Sequence, residues 1–387
     1  MKPIEIRPGI YWVGGIDWDL RNFHGYLTQR GSTYNAYLIM DEKITLVDSV
    51  KYYLCDEMFE RIAHVVDPAK IDYIVSNHVE MDHSGSIPMV KEVAKQATVF
   101  TSPKGQEGLH AHYKRDMDFQ VVKTGDTLNI GTRTLNFVLT PMVHWPDNMV
   151  TYIPEEKLLL SNDAFGQHLA SSERFDDEYP LNIIIEEAQK YYANIVLPFS
   201  SQVQKALQAA GGLEIETICP SHGIIWRSHI PTILEHYTKW SQNQTDEKAV
   251  IVYDTMWQST QKMAYAIQSA FEDQGTQTRM FNLQHTHISD IMTEVMTAKY
   301  ICVGSPTLNN GMLPTVGAFL TYFKGLAPKG RIGLAFGSYG WSGQSVGQIE
   351  DVLNACGFDL LSRIRTQYIP DDATLQSITE QVKGELS

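Results

Sequence analysis

Residues 76–86 read SNHVEMDHSGS, which crowds His78, Glu80, Asp82 and His83 directly behind the apolar run Ile71 to Val75. On an extended or looped backbone, side chains two apart can be aimed at one point, as His78, Glu80 and Asp82 are here. His83 is left free to turn toward a second ion. A two-metal site draws its ligands from several chain segments. Three more candidates follow apolar, strand-like runs: His144 in LTPMVHWPD, Asp163 in LLLSNDAFG and His222 in IETICPSHG. Together these are four imidazoles and three carboxylates, enough for two divalent ions with one carboxylate bridging. The pairs His110 and His112, and His285 and His287, lack such company and are not read as ligands.

Glu80 stands where metal-dependent hydrolases with a similar run carry histidine. A carboxylate there adds a hard oxygen ligand and a negative charge. The mixed nitrogen and oxygen set suits iron or manganese, and supports a higher oxidation state better than an all-histidine zinc site does.

A second constellation starts at YDTMWQSTQKMA (253–264), which contains neither GxGxxG nor GxxxxGK[ST]. Dinucleotide and nucleoside triphosphate sites are therefore not indicated. Thr255, Ser259 and Thr260 instead offer hydroxyls, and Met256, Trp257 and Gln258 offer backbone N–H groups, at the start of a helix. Neutral donors and the helix dipole suit one terminal phosphate monoester. Two later loops should reach the same sheet edge. One carries Pro306, Thr307, Leu308, Asn309 and Asn310; the other carries Ser338, Tyr339, Gly340, Trp341, Ser342 and Gly343. Trp257, Tyr339 and Trp341 are available to stack on a planar ring system.

These groups must be positioned by two rhythms of secondary structure. Before about residue 240 short strands dominate, with hairpins expected at 33–49 and 149–163 and more strands over 121–140. Helices intervene after Ser84 and near 201–210, so two sheets inside helical layers are expected. The polar stretch KWSQNQTDEK reads as a linker. Strand and helix then alternate regularly from AVIVYDT (249–255) onward, the pattern of a doubly wound parallel sheet. The expected domains are 1–246 and 247–387.

Bulk properties narrow the partners. A net charge of −14 argues against nucleic acid and anionic membrane surfaces. Cys55, Cys219, Cys302 and Cys356 form no CxxC, so neither a disulfide framework nor a cysteine-held metal is expected. MKPIEIRPGIYWVGG lacks the apolar core of a signal peptide, and the expected location is the cytoplasm.

The run His78-x-Glu80-x-Asp82-His83, followed by His144, Asp163 and His222, resembles the diiron site of the flavodiiron proteins (A-type flavoproteins). FHGYLTQRGSTYNAYLI (23–39) and PSHGIIWR (220–227) are similar to that family as well. The resemblance implies an α/β chain, with an N-terminal metallo-β-lactamase-like αββα sandwich and a C-terminal flavodoxin-like sheet binding FMN. One iron would take His78, Glu80 and His144, the other Asp82, His83 and His222, with Asp163 bridging. His24 and Tyr192 would lie beside the substrate pocket. The implied activity is reduction of O2 to water or of NO to N2O. With no CxxC pair for a fused rubredoxin, electrons are expected from a separate rubredoxin, flavoprotein reductase or deazaflavin. A head-to-tail homodimer, alone or paired into a dimer of dimers, would bring the FMN of one subunit to the irons of the other. Two other readings stand beside this one. The first is a zinc hydrolase fused to a flavodoxin-like module, which Glu80 and the flavin loops count against. The second is an electron-transfer flavoprotein with no reductase activity of its own.

Overall fold

Strand alternation builds the first unit. In the computed structural model, which describes residues 1–386, Tyr37, Ile39, Val47, Val75 and Phe100 turn to one side of a sheet and Leu38, Leu46, Ile74 and Val99 to the other. A strand with both faces apolar has to be covered twice. The sheet has seven strands, in the order Ile4–Arg7, Ile10–Trp12, Tyr37–Ile39, Thr45–Val47, Tyr73–Ser76, Thr98–Thr101 and Phe119–Val121. Its first face packs on Leu135, Phe137, Met149, Leu158 and Leu160 of a second sheet. That sheet has five strands: Thr127–Asn129, Thr134–Leu139, Met149–Ile153, Leu158–Asn162 and Thr217–Pro220. The other face of the first sheet meets Met58 and Ile62 of helix Cys55–Ala63, Ile87 and Val90 of helix Ile87–Val93, and Leu109 of helix Pro103–Tyr113. Helix Ser200–Ala210 lies over the outer face of the second sheet. The result is the expected αββα sandwich.

The hairpin at 33–49 turns at Asp41 to Lys43 between antiparallel strands. The helix expected after Ser84 starts earlier and breaks in two, Met81–Ser84 and Ile87–Val93. Gly85 sits at the break, where a Cβ would lie 2.4 Å from the Met81 carbonyl oxygen, so a side chain there would displace the ligand turn.

In the second unit six strands form one sheet, with Gln277–Asn282, Asp246–Tyr253, Ala298–Gly304 and Ile332–Tyr339 adjacent in that order and parallel. Asp359–Leu360 and Ile364–Gln367 both pair with the last of these. The direction of winding therefore reverses between Asp246–Tyr253 and Ala298–Gly304, which is where doubly wound sheets bind ligands. Helices Ser259–Asp273 and Asp372–Leu386 cover Ile251, Cys302 and Leu334 on one face. Val250, Val252, Ile301 and Val303, pointing the other way, are equally buried.

The expected linker is mostly structured. Helix Ile230–Ser241 and strand Asp246–Tyr253 leave only 242–245 between them. Trp240 packs on Tyr192, and Lys248 is held by Glu294 (2.9 Å) and Thr297 (2.6 Å). The compact units accordingly divide at Thr238/Lys239 rather than at 246/247, and Tyr192–Ser200 belongs with the second unit. The four cysteines are free thiols, and Cys55, Cys219 and Cys302 are buried.

Candidate functional site

The first constellation sits where both sheets end. His78 and Glu80 follow strand Tyr73–Ser76, and Asp82 and His83 ride on the short helix Met81–Ser84. From the second sheet, His144 comes from the turn between Thr134–Leu139 and Met149–Ile153. Asp163 and His222 follow Leu158–Asn162 and Thr217–Pro220, neighbouring parallel strands whose ends reach the same edge.

The seven side chains converge as two groups. His78, Glu80, His144 and Asp163 place ligand atoms within 4.8 Å of one another, and so do Asp82, His83 and His222. Asp163 touches both. Its Oδ2 is 3.2 Å from His144 Nε2 and 3.6 Å from His78 Nε2, while its Oδ1 is 3.0 Å from His83 Nε2 and 3.5 Å from His222 Nε2. Glu80 Oε2 completes the first group at 3.4 Å from His78 Nε2 and 3.5 Å from His144 Nε2. Asp82 Oδ2 completes the second at 3.3 Å from His222 Nε2 and 3.4 Å from His83 Nε2. One carboxylate oxygen per group is the geometry of a bridge.

These atoms are close without being satisfied. His78 Nε2, both nitrogens of His83, both oxygens of Asp82 and Asp163 Oδ2 are buried and make no hydrogen bond. Such orphaned polar atoms cost free energy unless something else occupies the point they face. Three buried carboxylates also demand positive charge. Burial opposes charging His83, but Asp82 and Asp163 outweigh it and lift its pKa to about 9. Burial likewise opposes charge on His78, yet its hydrogen bond to Asp147 and the nearby Asp163 carboxylate raise its pKa. Burial would raise Asp82 and Asp163; the neighbouring histidines, His83 foremost, hold both below the usual carboxylate range. Two divalent cations would supply the same compensation and satisfy the orphaned atoms as well. The residues fit a metal pair.

Outer contacts fix the ligands. His78 Nδ1 donates to Asp147 Oδ2 (2.8 Å), and the same oxygen accepts the Val79 N–H (2.8 Å). His222 Nδ1 donates to the Thr33 carbonyl (2.8 Å), leaving Nε2 to face the centre. Carboxylate or carbonyl support of this kind sets the tautomer and the basicity of a metal-binding imidazole. Sequence reasoning missed Asp147, although an acid three residues after His144 was visible.

His24 reaches Glu80 Oε1 at 2.8 Å while remaining 71% exposed, so it lies at the mouth of the ligand cluster. Tyr192 does not lie beside the centre. Its ring packs on Trp240 and its hydroxyl is 3.2 Å from Ser200 Oγ. The preceding Tyr191 is the tyrosine at the centre, 5.8 Å from His222 and 5.2 Å from His168, ring to ring. One step along the helix Leu181–Tyr191 and beyond turns a side chain by about 100°, enough to exchange the two roles.

In the second unit, a cleft of about 760 Å³ opens at the switch point of the sheet. Its lining includes Met256, Trp257 and Ser259, all of Pro306, Thr307, Leu308, Asn309 and Asn310, and Ser338, Tyr339, Gly340, Trp341 and Ser342. Thr255, Gln258, Thr260 and Gly343 are not on its surface. Thr260 Oγ1 is 3.1 Å from Ser338 Oγ, tying the first loop to the third. Gln258 and Gly343 precede helices Ser259–Asp273 and Gln344–Ala355 with positive φ. Tyr368 and Ile369 also line the cleft and were missed, because the strand before them is too short to register in the sequence. Trp257 and Trp341, both on the cleft wall, are 85% and 88% exposed and available to stack on a planar ring. Thr255 Oγ1 is buried with no hydrogen-bond partner beside the start of helix Ser259–Asp273. An orphaned hydroxyl beside a helix N-terminus fits a phosphate.

Comparisons with known proteins agree with this geometry. Residues 33–223 match the ODP family beta lactamase, and residues 251–381 match flavodoxin. A nitric oxide reductase from Moorella thermoacetica is 45% identical, over 98% of this chain and 97% of its own. A rubredoxin-oxygen oxidoreductase from Megalodesulfovibrio gigas is 43% identical, over 98% and 96%. The crystal structure of the flavodiiron protein from Giardia intestinalis superposes with a TM-score of 0.97 at 36% identity, covering 99% of this chain and 96% of that one. Identity at this level along the whole length, with a bridged ligand pair in one unit and a phosphate-and-ring cleft in the other, places the chain in the flavodiiron protein family.

Proposed function

We propose that this protein reduces O2 to water, NO to N2O, or both, with FMN in the second unit and a non-haem iron pair in the first. The observation that carries this reading is Asp163, whose two oxygens are divided between two ligand groups. When bound, two ferrous ions and a reduced flavin together supply four electrons, the number that takes O2 to water. His78, Glu80 and His144 would hold one iron, and Asp82, His83 and His222 the other. Glu80 and Asp82 supply anionic oxygens that favour iron in a higher oxidation state.

The chain's other groups prepare the pocket. Hydrogen bonding to Glu80 raises the pKa of His24, so its ring holds a proton at Nε2 while its exposed edge exchanges with solvent. The Lys51 ammonium lies 4.7 Å from the Tyr34 ring centre and 5.2 Å from that of Phe23, and so brings positive charge to the carboxylate-rich side. Buried Tyr34 and Tyr191 and half-buried Trp145 narrow the space around the imidazoles.

Electrons would come from a separate small carrier such as rubredoxin, a donor class supported by the name of the Megalodesulfovibrio relative. A head-to-tail homodimer would pair each flavin with the partner's metal centre, as the family resemblance implies. A cytoplasmic location is part of this reading; among the described residues no helix is long and apolar enough to cross a membrane.

The test is turnover of protein loaded anaerobically with iron and FMN and given a chemical or rubredoxin donor. Consumption of O2 without hydrogen peroxide release, or production of N2O from NO, is expected. Full occupancy by zinc after iron-replete expression, with neither gas consumed, would overturn the reading.

A further inference from the structure

Behind the turns that carry His144 and Asp163 lies a crevice that nothing in the reaction above uses. It is a cavity of about 70 Å³ between the outer face of the five-stranded sheet and helix Ser200–Ala210. Val138, Val150 and Leu159 form the sheet wall, and Val203, Ala206 and Leu207 the helix wall. Buried Val143 and Phe165, 6% and 7% exposed, lie on its wall beside these turns, and so does exposed Ala209. Val143 immediately precedes one metal-ligand candidate, His144. Ala164, also on the wall, immediately follows another, Asp163.

The crevice discriminates by polarity. It has room for more than one molecule the size of water, but a water needs two to four polar partners to stay. Two of the wall hydroxyls are already engaged with backbone: Ser161 Oγ donates to the Ala164 carbonyl (2.7 Å), and the Tyr237 hydroxyl accepts the Phe165 N–H (2.6 Å). A small molecule without hydrogen-bonding needs loses nothing on entering. We propose that this crevice binds apolar diatomic gases and is their route from solvent to the back of the turns 140–144 and 161–165. The inference rests on the O2/NO reading above and adds where those molecules gather.

Xenon reports on such a site without any chemistry. Crystals of the iron- and FMN-loaded protein pressurised with xenon are expected to show a peak between Val150 and Val203. Ala206→Phe from the helix side, and separately Val150→Phe from the sheet side, should abolish that peak. Each should lower kcat/KM for O2 and for NO about fivefold while leaving kcat at saturating gas, iron content and FMN content unchanged. No xenon in the unaltered protein overturns the proposal, and that measurement depends on no variant folding. Variants that exclude xenon yet keep the full kcat/KM for both gases overturn it too, while leaving the reductase reading intact. An unaltered protein that consumes neither gas defeats that reading and this route together.

Discussion

Asp147 offers a graded test of how the metal centre is held. Its Oδ2 accepts two hydrogen bonds of 2.8 Å, one from His78 Nδ1 and one from the Val79 N–H, and the residue is 3% exposed. Asp147→Asn can keep an oxygen at that point and so retain both bonds, but it removes the charge that makes the imidazole basic. The expected loss is about tenfold in metal affinity, or roughly 1.4 kcal/mol. Asp147→Ala removes both acceptors. His78 is then free to rotate, and the Val79 N–H is left buried without a partner. Affinity should fall about a hundredfold, and stability by about 1–3 kcal/mol from the orphaned N–H. Anaerobic chelator competition for ferrous or cobaltous ion measures the first quantity, and thermal unfolding of the metal-free protein the second. The ordering carries the reasoning: Asn must stand between Asp and Ala both in affinity and in metal-free stability, because it keeps the acceptor but not the charge that pairs with protonated His78. Equal affinities for all three would show that His78 needs no orienting partner.

Further outcomes are expected elsewhere. Thr255→Val should weaken FMN binding about tenfold, since it removes a buried hydroxyl with no other partner; flavin fluorescence during titration of apoprotein measures this. Metal loading should release about two protons near neutral pH, because His78 and His83 are both held protonated in the metal-free site. For His83 the sign follows from a pKa raised from 6.5 to about 9: its stabilising protonation is fully present below 6.5 and lost as pH rises through about 9. Metal affinity should therefore climb with pH across that window by about tenfold per unit for each proton displaced, and level off above it. Glu80→His should shift occupancy from iron toward zinc and lower reductase turnover, as read by metal analysis and gas consumption.

Much of this was legible because the relevant residues are consecutive. The four ligands between His78 and His83 fall within one turn behind a buried strand, and a strand end is the one place where spacing along the chain maps onto spacing in space. His144, Asp163 and His222 were equally visible, each following an apolar run. What stayed hidden depends on rotation or on distant packing. Tyr191 and Tyr192 are indistinguishable in sequence, and only the roll of their helix decides which faces His222. The strand Gln277–Asn282 escaped notice because it is a half-exposed edge, without a continuous apolar run. The polar stretch near 240 looked like linker because Lys248 finds Glu294 and Thr297 nearly fifty residues away.

Glu80 joins the chemical and structural parts of the centre. Its two oxygens do different things: Oε2 faces His78 and His144, and Oε1 accepts from His24. An imidazole at this position could face the metal with one nitrogen, but its other nitrogen would meet the His24 ring as a second neutral azole. The substitution would thus remove a negative ligand and the charged anchor that holds His24 at the mouth together. The two losses are separable, because Glu80→Gln keeps an oxygen for either role while giving up the charge. If charge selects the metal, Glu80→Gln should resemble Glu80→His in metal occupancy. If geometry at the mouth governs turnover, it should resemble the unaltered enzyme in rate per bound iron.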